Sequence, residues 1–458
     1  MLEYDNALSF SKKIRSHPTY RHSKAYQLSG GQTVNLSSGS TTESVFELPT
    51  ASHVVNHSKS FLKFTLNVPS AGNTSYNRLL MNGVSVIDRI MIQTKSGVQL
   101  CDITNVPNYT SMVLPYHTSL NEFITKDSPN PRLTDTCLSD SNLFNPSRVA
   151  KTATLGIDQA GVQSALSVDY SDIPSFYESA AENGGGVNSL IYMNILLPLS
   201  TIGPDSILSM DRNMYYGETL LLYVYWSSTA RIGFLGTATP AIATGLAPLA
   251  GQVSLTRLAL YNAIESNVEI QNGLLDKART SEGISMVIPY VYGFKTTTAQ
   301  ASNSSIQTRL SRAHGVNLLR VWTSIFNASS NYQFSMNNSN ADNSILVDVY
   351  DELNSQRLCD FNWSSANNEL YLALRDKLVG SVIQNSSMFR AHQVWLRDFT
   401  NLPCVDFIEN NTAEDGVSLA QEQIYTSNMT KVNAVNQIFT YVVTQKVLNI
   451  GASGITLM

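Results

Sequence analysis

Charge is what this chain is short of. Asp, Glu, Lys and Arg make up 14% of its 458 residues, against roughly 25% in an average soluble domain. Cysteine is scarce as well. Cys101, Cys137, Cys359 and Cys404 lie far apart without a CxxC pair, which argues against a disulfide-stapled scaffold and leaves the thiols expected free. GxSxG, GxxxxGK and GxGxxG are all absent, and none of the seven histidines precedes Glu, so the HExxH zinc motif is excluded. His53 and His57 stand four apart and invite a metal-pair reading, but with no Cys nearby two surface histidines are the expectation. His392, beside Trp395 in an apolar run, reads as a core histidine. The first 18 residues set acids before bases and lack an apolar segment, so no secretory signal is expected. These absences argue against an enzyme, and no catalytic residue, cofactor, metal or small-molecule substrate is assigned.

What the chain does have is strand pattern, twice over. A length of 458 residues exceeds what one core usually serves, roughly 250 to 300 residues, so two domains are the natural count. Two strand-rich blocks, 41–231 and 252–458, flank residues 232–251, which contain four Gly, two Pro and no charge. The length of that junction is near the ~20 residues of a membrane span. Its Gly and Pro weaken a helix, and its Ala and Thr add little transfer energy, so an interdomain linker is expected instead.

Within the blocks the alternation is of period two. Phe64, Leu66 and Val68 fall on one face of residues 61–68, and Lys63, Thr65 and Asn67 on the other. Residues 84–92 and 97–103 bracket Lys95-Ser96-Gly97, a hairpin turn. Further strands are expected at 190–199, 220–226, 253–261, 316–326, 345–350, 391–396 and 438–450, with 368–380 leaning to strand. Helices are expected at 172–183, behind Asp172 and before three glycines, and at 413–425. Residues 104–187 and 327–344 read as long loops.

Charge is also unevenly placed. Residues 1–40 form an N-terminal arm in which Lys12, Lys13, Arg15, Arg21 and Lys24 face only Glu3 and Asp5, giving +3; the whole chain is -5, so the rest carries -8. A body of that sign is no bulk nucleic-acid binder, although a basic arm reaches phosphate or anionic lipid locally.

The order of parts resembles the double jelly-roll major capsid proteins of the adenovirus, virophage and large-DNA-virus lineage. The arm precedes the strand at 61–68; residues 80–102 (LMNGVSVIDRIMIQTKSGVQLCD) look like the family's early hairpin. Residues 194–203 (NILLPLSTIG) and the return strand 220–226 look like the close of a first roll, and 440–450 (TYVVTQKVLNI) like the end of a second. The resemblance implies an all-β fold of two tandem eight-stranded jelly-roll sandwiches with long loops and a few short helices. The first roll would be 41–231, the linker 232–251 and the second roll 252–458. It also implies a homotrimer whose six rolls make a pseudo-hexagonal, hexon-like capsomer, with strands roughly upright, tiling an icosahedral shell beside minor capsid or penton proteins. The location implied is the virion, after synthesis in the host cytoplasm or nucleus. The basic arm would then be the inner-face contact, touching an inner membrane, minor proteins or genome, with Leu8, Phe10 and Ile14 as apolar anchor.

Low charge suits such a coat, because neutral polar surface desolvates more cheaply than ionic surface when copies pack together. The rival reading is a glycan-binding adhesin or tail-type β-sandwich protein, with tyrosine-rich loops for sugar stacking; a β-sandwich hydrolase comes last. Trp226, Trp322, Trp363 and Trp395 sit mostly in apolar runs, which weakens the adhesin.

Overall fold

The computed structural model describes residues 18–36, 42–69, 76–79, 86–117, 178–179, 190–227, 234–235, 254–298, 303–310, 314–327, 346–358, 360, 362–364, 394–398, 417–419, 423–431, 436–451 and 454–458. The first part of the chain gives β1 (Tyr20–Lys24), β2 (Tyr26–Ser29), β3 (Val34–Asn35), β4 (Glu43–Leu48), β5 (Val55–Pro69), β6 (Tyr76–Leu79), β7 (Ile87–Thr94) and β8 (Gln99–Thr104). Helix α1 (Val106–His117), β9 (Glu178–Ser179), β10 (Leu190–Pro198), the single turn α2 (Leu199–Ile202), β11 (Leu220–Trp226), β12 (Phe234–Leu235) and β13 (Ser254–Glu265) follow.

These strands make a sandwich. One sheet runs β1-β13-β5-β10 with β3 also on β13; the facing sheet runs β2-β4-β11-β7-β8. Alternation does the sorting: Leu220, Leu222, Val224 and Trp226 of β11 are all fully buried, while Leu221, Tyr223 and Tyr225 are half-buried. Phe64 of β5 meets the Trp226 ring edge-on, centroids 5.9 Å apart, across the gap between the sheets. Burying side chains of this size contributes ~1.5–3 kcal/mol each. The β7–β8 hairpin turns at Gly97, whose φ of 96° is the left-handed conformation that favours glycine.

The second part opens with α3 (Val268–Arg279), then β14 (Ile284–Thr298), β15 (Asn303–Arg309), β16 (Asn317–Asn327), β17 (Leu346–Leu353), β18 (Gln356–Arg357) and β19 (Trp363–Ser364). It closes with β20 (Val394–Asp398), β21 (Val417–Ser418), β22 (Ile424–Lys431), β23 (Asn436–Gly451) and β24 (Gly454–Leu457). One sheet runs β14-β23-β16-β20, with β21 on β16 and β24 on β23; the other runs β15-β22-β17-β18, with β19 on β17. Leu310, Leu318, Val321, Tyr425 and Val442 pack between them.

Several expectations change. Residues 254–265 stand in the second block of the sequence reading, yet β13 is hydrogen-bonded to β1, β3 and β5 of the first sandwich. Its apolar alternation fits either sandwich, and only pairing decides. The arm, read as residues 1–40, is built into the sandwich over Tyr20–Lys24, Tyr26–Ser29 and Val34–Asn35. Of the helix expected at 172–183 only Glu178 and Ser179 are described, as a short strand on β6. The helix expected at 413–425 is not helix where described: Val417–Ser418 pairs with β16, and Ile424 and Tyr425 begin β22. Partners distant in sequence override local helix preference there. Conversely, α1 lies in the stretch read as loop. The helix α3 was missed although Asn267 caps it, its side chain accepting from the Glu269 N–H at 3.0 Å, and Lys277 and Arg279 close it. Residues 327–344 past Asn327, 368–380 and His392 lie outside the described residues, as do Cys137, Cys359 and Cys404. Of the 232–251 junction only Phe234–Leu235 is described, as a strand on β6. Among the described residues no helix is long and apolar enough to cross a membrane.

Candidate assembly surfaces

Two features of the described residues bear on function: the contact between the two sandwiches and the faces that they turn outwards. The contact is buried and polar. Tyr441 of β23 donates its hydroxyl to the carbonyls of Thr104 and Asn105, 3.4 and 3.3 Å away, where β8 runs into α1. Its ring lies 4.8 Å from that of Tyr109 on α1, whose hydroxyl donates to the Pro204 carbonyl at 2.7 Å. Trp322 of β16 donates its indole N–H to Asp205 Oδ2 at 3.3 Å. Asp205 is fully buried with φ of 53°, and Arg320 is fully buried as well. Both act on Tyr109: burial first, then the Asp205 charge, hold its hydroxyl far above the usual range, with Arg320 opposing. Backbone also comes close across the seam, since a Cβ built on Gly293 of β14 would lie 3.0 Å from Thr104 Oγ1. The half-turn 203–210 and α1 therefore act as the wedge on which the second sandwich sits.

A second polar network holds the N-terminal strand. Glu265, fully buried at the end of β13, accepts from the backbone N–H of Thr19 and of Asn267 on Oε1, each at 2.8 Å, and from Asn213 Nδ2 on Oε2 at 2.7 Å. Tyr20 donates to Asn213 Oδ1 at 2.9 Å, and Asn56 bridges Tyr20 and Asp211 at 3.1 and 2.8 Å. A carboxylate given three N–H donors is satisfied without a cation.

Of the basic residues singled out in the arm, Lys12, Lys13 and Arg15 lie outside the described residues. Arg21 and Lys24 are exposed on β1 and fall on opposite faces: Arg21 pairs in register with buried Ile264, Lys24 with half-buried Tyr261. Arg21 approaches His53 Nε2 at 3.5 Å. The two candidate metal histidines serve different partners, His53 hydrogen-bonding Ser52 at 2.8 Å and His57 hydrogen-bonding the Tyr216 hydroxyl at 2.8 Å. His57 is buried, which lowers it to about 4. Among the described residues no group of three His, Cys, Asp or Glu is placed to hold a metal.

The outward faces differ in character. On the β1-β13-β5-β10 sheet, Lys59 and Lys63 of β5 are exposed and Phe61 half-buried, alternating with buried Ser60, Leu62 and Phe64. Phe61 stacks on Tyr261 at 5.2 Å and lies 5.1 Å from the His22 ring. Lys59 pairs with Asp211 at 2.9 Å. On the opposite sheet, Arg89 lies over the Tyr225 ring, 5.3 Å from its centroid, and grips Asp102 with two bonds of 2.6 and 2.7 Å. On the β15-β22-β17-β18 sheet, Asp348, Tyr350 and Glu352 are half-buried and alternate with buried Val349 and Asp351. Arg357 stacks over Tyr350 at 4.1 Å and pairs in register with Glu352. Of these outward groups the sequence pattern marks Lys63 alone, through the period-two alternation of residues 61–68.

No protein-family profile matches this sequence, and neither does any curated protein. Solved structures do match in shape. A chain of the PBCV-1 virus capsid superposes with a TM-score of 0.54 at 9% identity, covering 96% of both chains. A chain of the Sputnik virophage gives 0.53 at 11% identity, over 97% of this chain and 88% of the other. The Faustovirus major capsid protein gives 0.50 at 12% identity, over 95% and 91%. Identities this low speak to fold, and the fold is that of the double jelly-roll capsid proteins, with both sandwiches matched in one superposition.

Proposed function

We propose that this double jelly roll is a viral major capsid protein: a structural tile that associates as a homotrimer, two rolls per copy making a pseudo-hexagonal block, and is incorporated into an icosahedral virion shell. The observation that carries the reading is the buried seam. Tyr441, Trp322, Asp205 and Tyr109 bind two sandwiches into one block, as a shell requires of a tile and a pair of linked binding modules does not. Coverage of more than nine-tenths of both chains in the superpositions on capsid-protein chains supports it, because the likeness takes in both sandwiches and not one alone. Neighbouring capsomers and minor or penton proteins would be the partners. In this reading we divide the rolls after β13, and keep the basic residues Lys12, Lys13 and Arg15 as an inner-face contact with membrane, minor protein or genome.

The test is assembly itself. Purified full-length protein examined by size-exclusion chromatography with light scattering and by negative-stain imaging is expected to give three-copy particles with a six-lobed outline. A monomer across the micromolar range would overturn the reading, and a monomer that also adheres to a glycan array would move it to the adhesin.

A further inference from the structure

We propose that copies of this chain meet head to tail through two specific strand faces, the Lys59-Phe61-Lys63 row of β5 in the first roll and the Asp348-Tyr350-Glu352 row of β17 in the second, with Lys63 facing Asp348. This inference rests on the self-assembly reading and names the surface that reading leaves open.

The two rows are complementary by position. Each is three outward residues at i, i+2 and i+4, cation-aromatic-cation on β5 and anion-aromatic-anion on β17, with buried residues between them. At the ~3.3 Å rise of a strand both span about 13 Å from first to last charge. Pairing them end to end therefore keeps both charges in register around an aromatic centre, the arrangement of an apolar anchor within a polar rim.

The existing contacts fix the direction. Lys59 is already compensated by Asp211 at 2.9 Å, and Glu352 stands beside Arg357. Lys63 and Asp348 make no ion pair within the described residues. Matching the open cation to the open anion sets Lys63 on Asp348 and brings Lys59 with Asp211 against Glu352 with Arg357. Phe61 and Tyr350 then meet in the middle.

Among the described residues the topology leaves these faces open. The β14-β23-β16-β20 sheet is covered on one side by its partner sheet, through Val442 and Leu318, and on the other by the first roll, through Tyr441 and Trp322. The β5 and β17 faces belong to the sheets outside that stack. Because they lie on different rolls, the contact joins unlike patches, and a contact of that kind closes a ring when its rotation permits. A ring of two-roll tiles would then alternate first and second rolls around its axis.

The experiment is a charge-swap cycle on the full chain. Lys63→Glu and Asp348→Lys are each expected to raise the dissociation constant of the assembly about tenfold or more by sedimentation, and the double variant to return within about threefold of wild type. Raising salt should weaken the wild type and leave the Lys63→Gln variant less affected. Far-UV circular dichroism checks that each variant is folded. A wild type that assembles while both single variants assemble equally well, or a double variant no better than the singles, overturns this interface and leaves self-assembly standing. A monomeric wild type overturns both.

Discussion

The two rolls bury their apolar side chains differently. In the first, Phe46, Leu62, Phe64, Leu222, Val224 and Trp226 fill the gap between its own sheets. In the second, the gap holds Leu310, Leu318, Val321, Val349, Tyr425, Met429 and Val442 beside the buried polar residues Thr308, Asp351, Ser427 and Thr444. Meanwhile Leu319, Trp322, Phe439, Tyr441 and Val443 join the cluster that contains the first roll. The second roll thus places much of its large apolar surface outwards, against its neighbour in the same chain. The difference teaches that the two sandwiches are unequal in self-sufficiency: the first has a core of its own, and the second leans on it.

The most damaging way to probe that asymmetry is to hollow out the first core. Trp226 is fully buried, its indole N–H donating to Ser44 Oγ at 2.9 Å, and Trp226→Ala is expected to cost about 3–5 kcal/mol in urea unfolding. Because the second roll leans on the first, both should melt together. A variant in which circular dichroism reports an intact second roll beside an unfolded first would break the comparison.

Acid should act on the first roll too. Burial holds His57 at about 4 instead of 6.5, so between those values the unfolded chain binds the proton and the folded chain does not. Stability from this residue is full above pH 6.5, is lost as pH falls towards 4, and levels off below. The full loss is about 3 kcal/mol. Urea unfolding of wild type and His57→Gln at pH 7 and pH 4.5 checks it: the variant should lose about 2–3 kcal/mol less than wild type over that interval, and equal losses would remove His57 from the account.

Smaller effects sharpen the seam. Trp322→Phe keeps a ring but removes the donor to buried Asp205, with an expected cost of about 1–3 kcal/mol. Tyr441→Phe removes a hydroxyl shared between two carbonyls at 3.3–3.4 Å and should cost about 1 kcal/mol. Both should increase proteolytic nicking between the rolls more than they lower the unfolding midpoint of the first. If a core variant of equal cost, away from the seam, raises nicking equally, the seam holds nothing special.

Residues 61–68 could be read from the sequence because one face of β5 is apolar and the other polar, while β11 and much of β23 are legible as apolar runs rich in strand-forming residues. The hairpin turn at Lys95-Ser96-Gly97 was legible for the same local reason, a glycine where φ must be positive. Residues 413–425 misled because Ala and Glu favour a helix locally while Val417 and Ile424 find sheet partners at Leu318 and Arg309. The faces proposed to meet were half legible: alternation marks Lys63 as outward, but Asp348 and Asp351 of β17 look alike in the sequence and only the structure buries Asp351, and nothing in the chain says that Lys59 already has Asp211.

By itself the sequence determined the class of the molecule: strand periodicity, two blocks, scarce charge, and the order of parts that resembles the capsid proteins. Those properties are local or compositional, and neighbouring residues are enough to encode them. Only the tertiary structure decided that β13 completes the first roll, that Tyr20–Lys24 is a sheet edge, and that Asp205, Arg320 and Tyr109 share one buried seam. Each of these depends on residues far apart in the chain meeting with compatible hydrogen bonds and volumes, and alternation alone leaves strand partners degenerate because any apolar face fits any other.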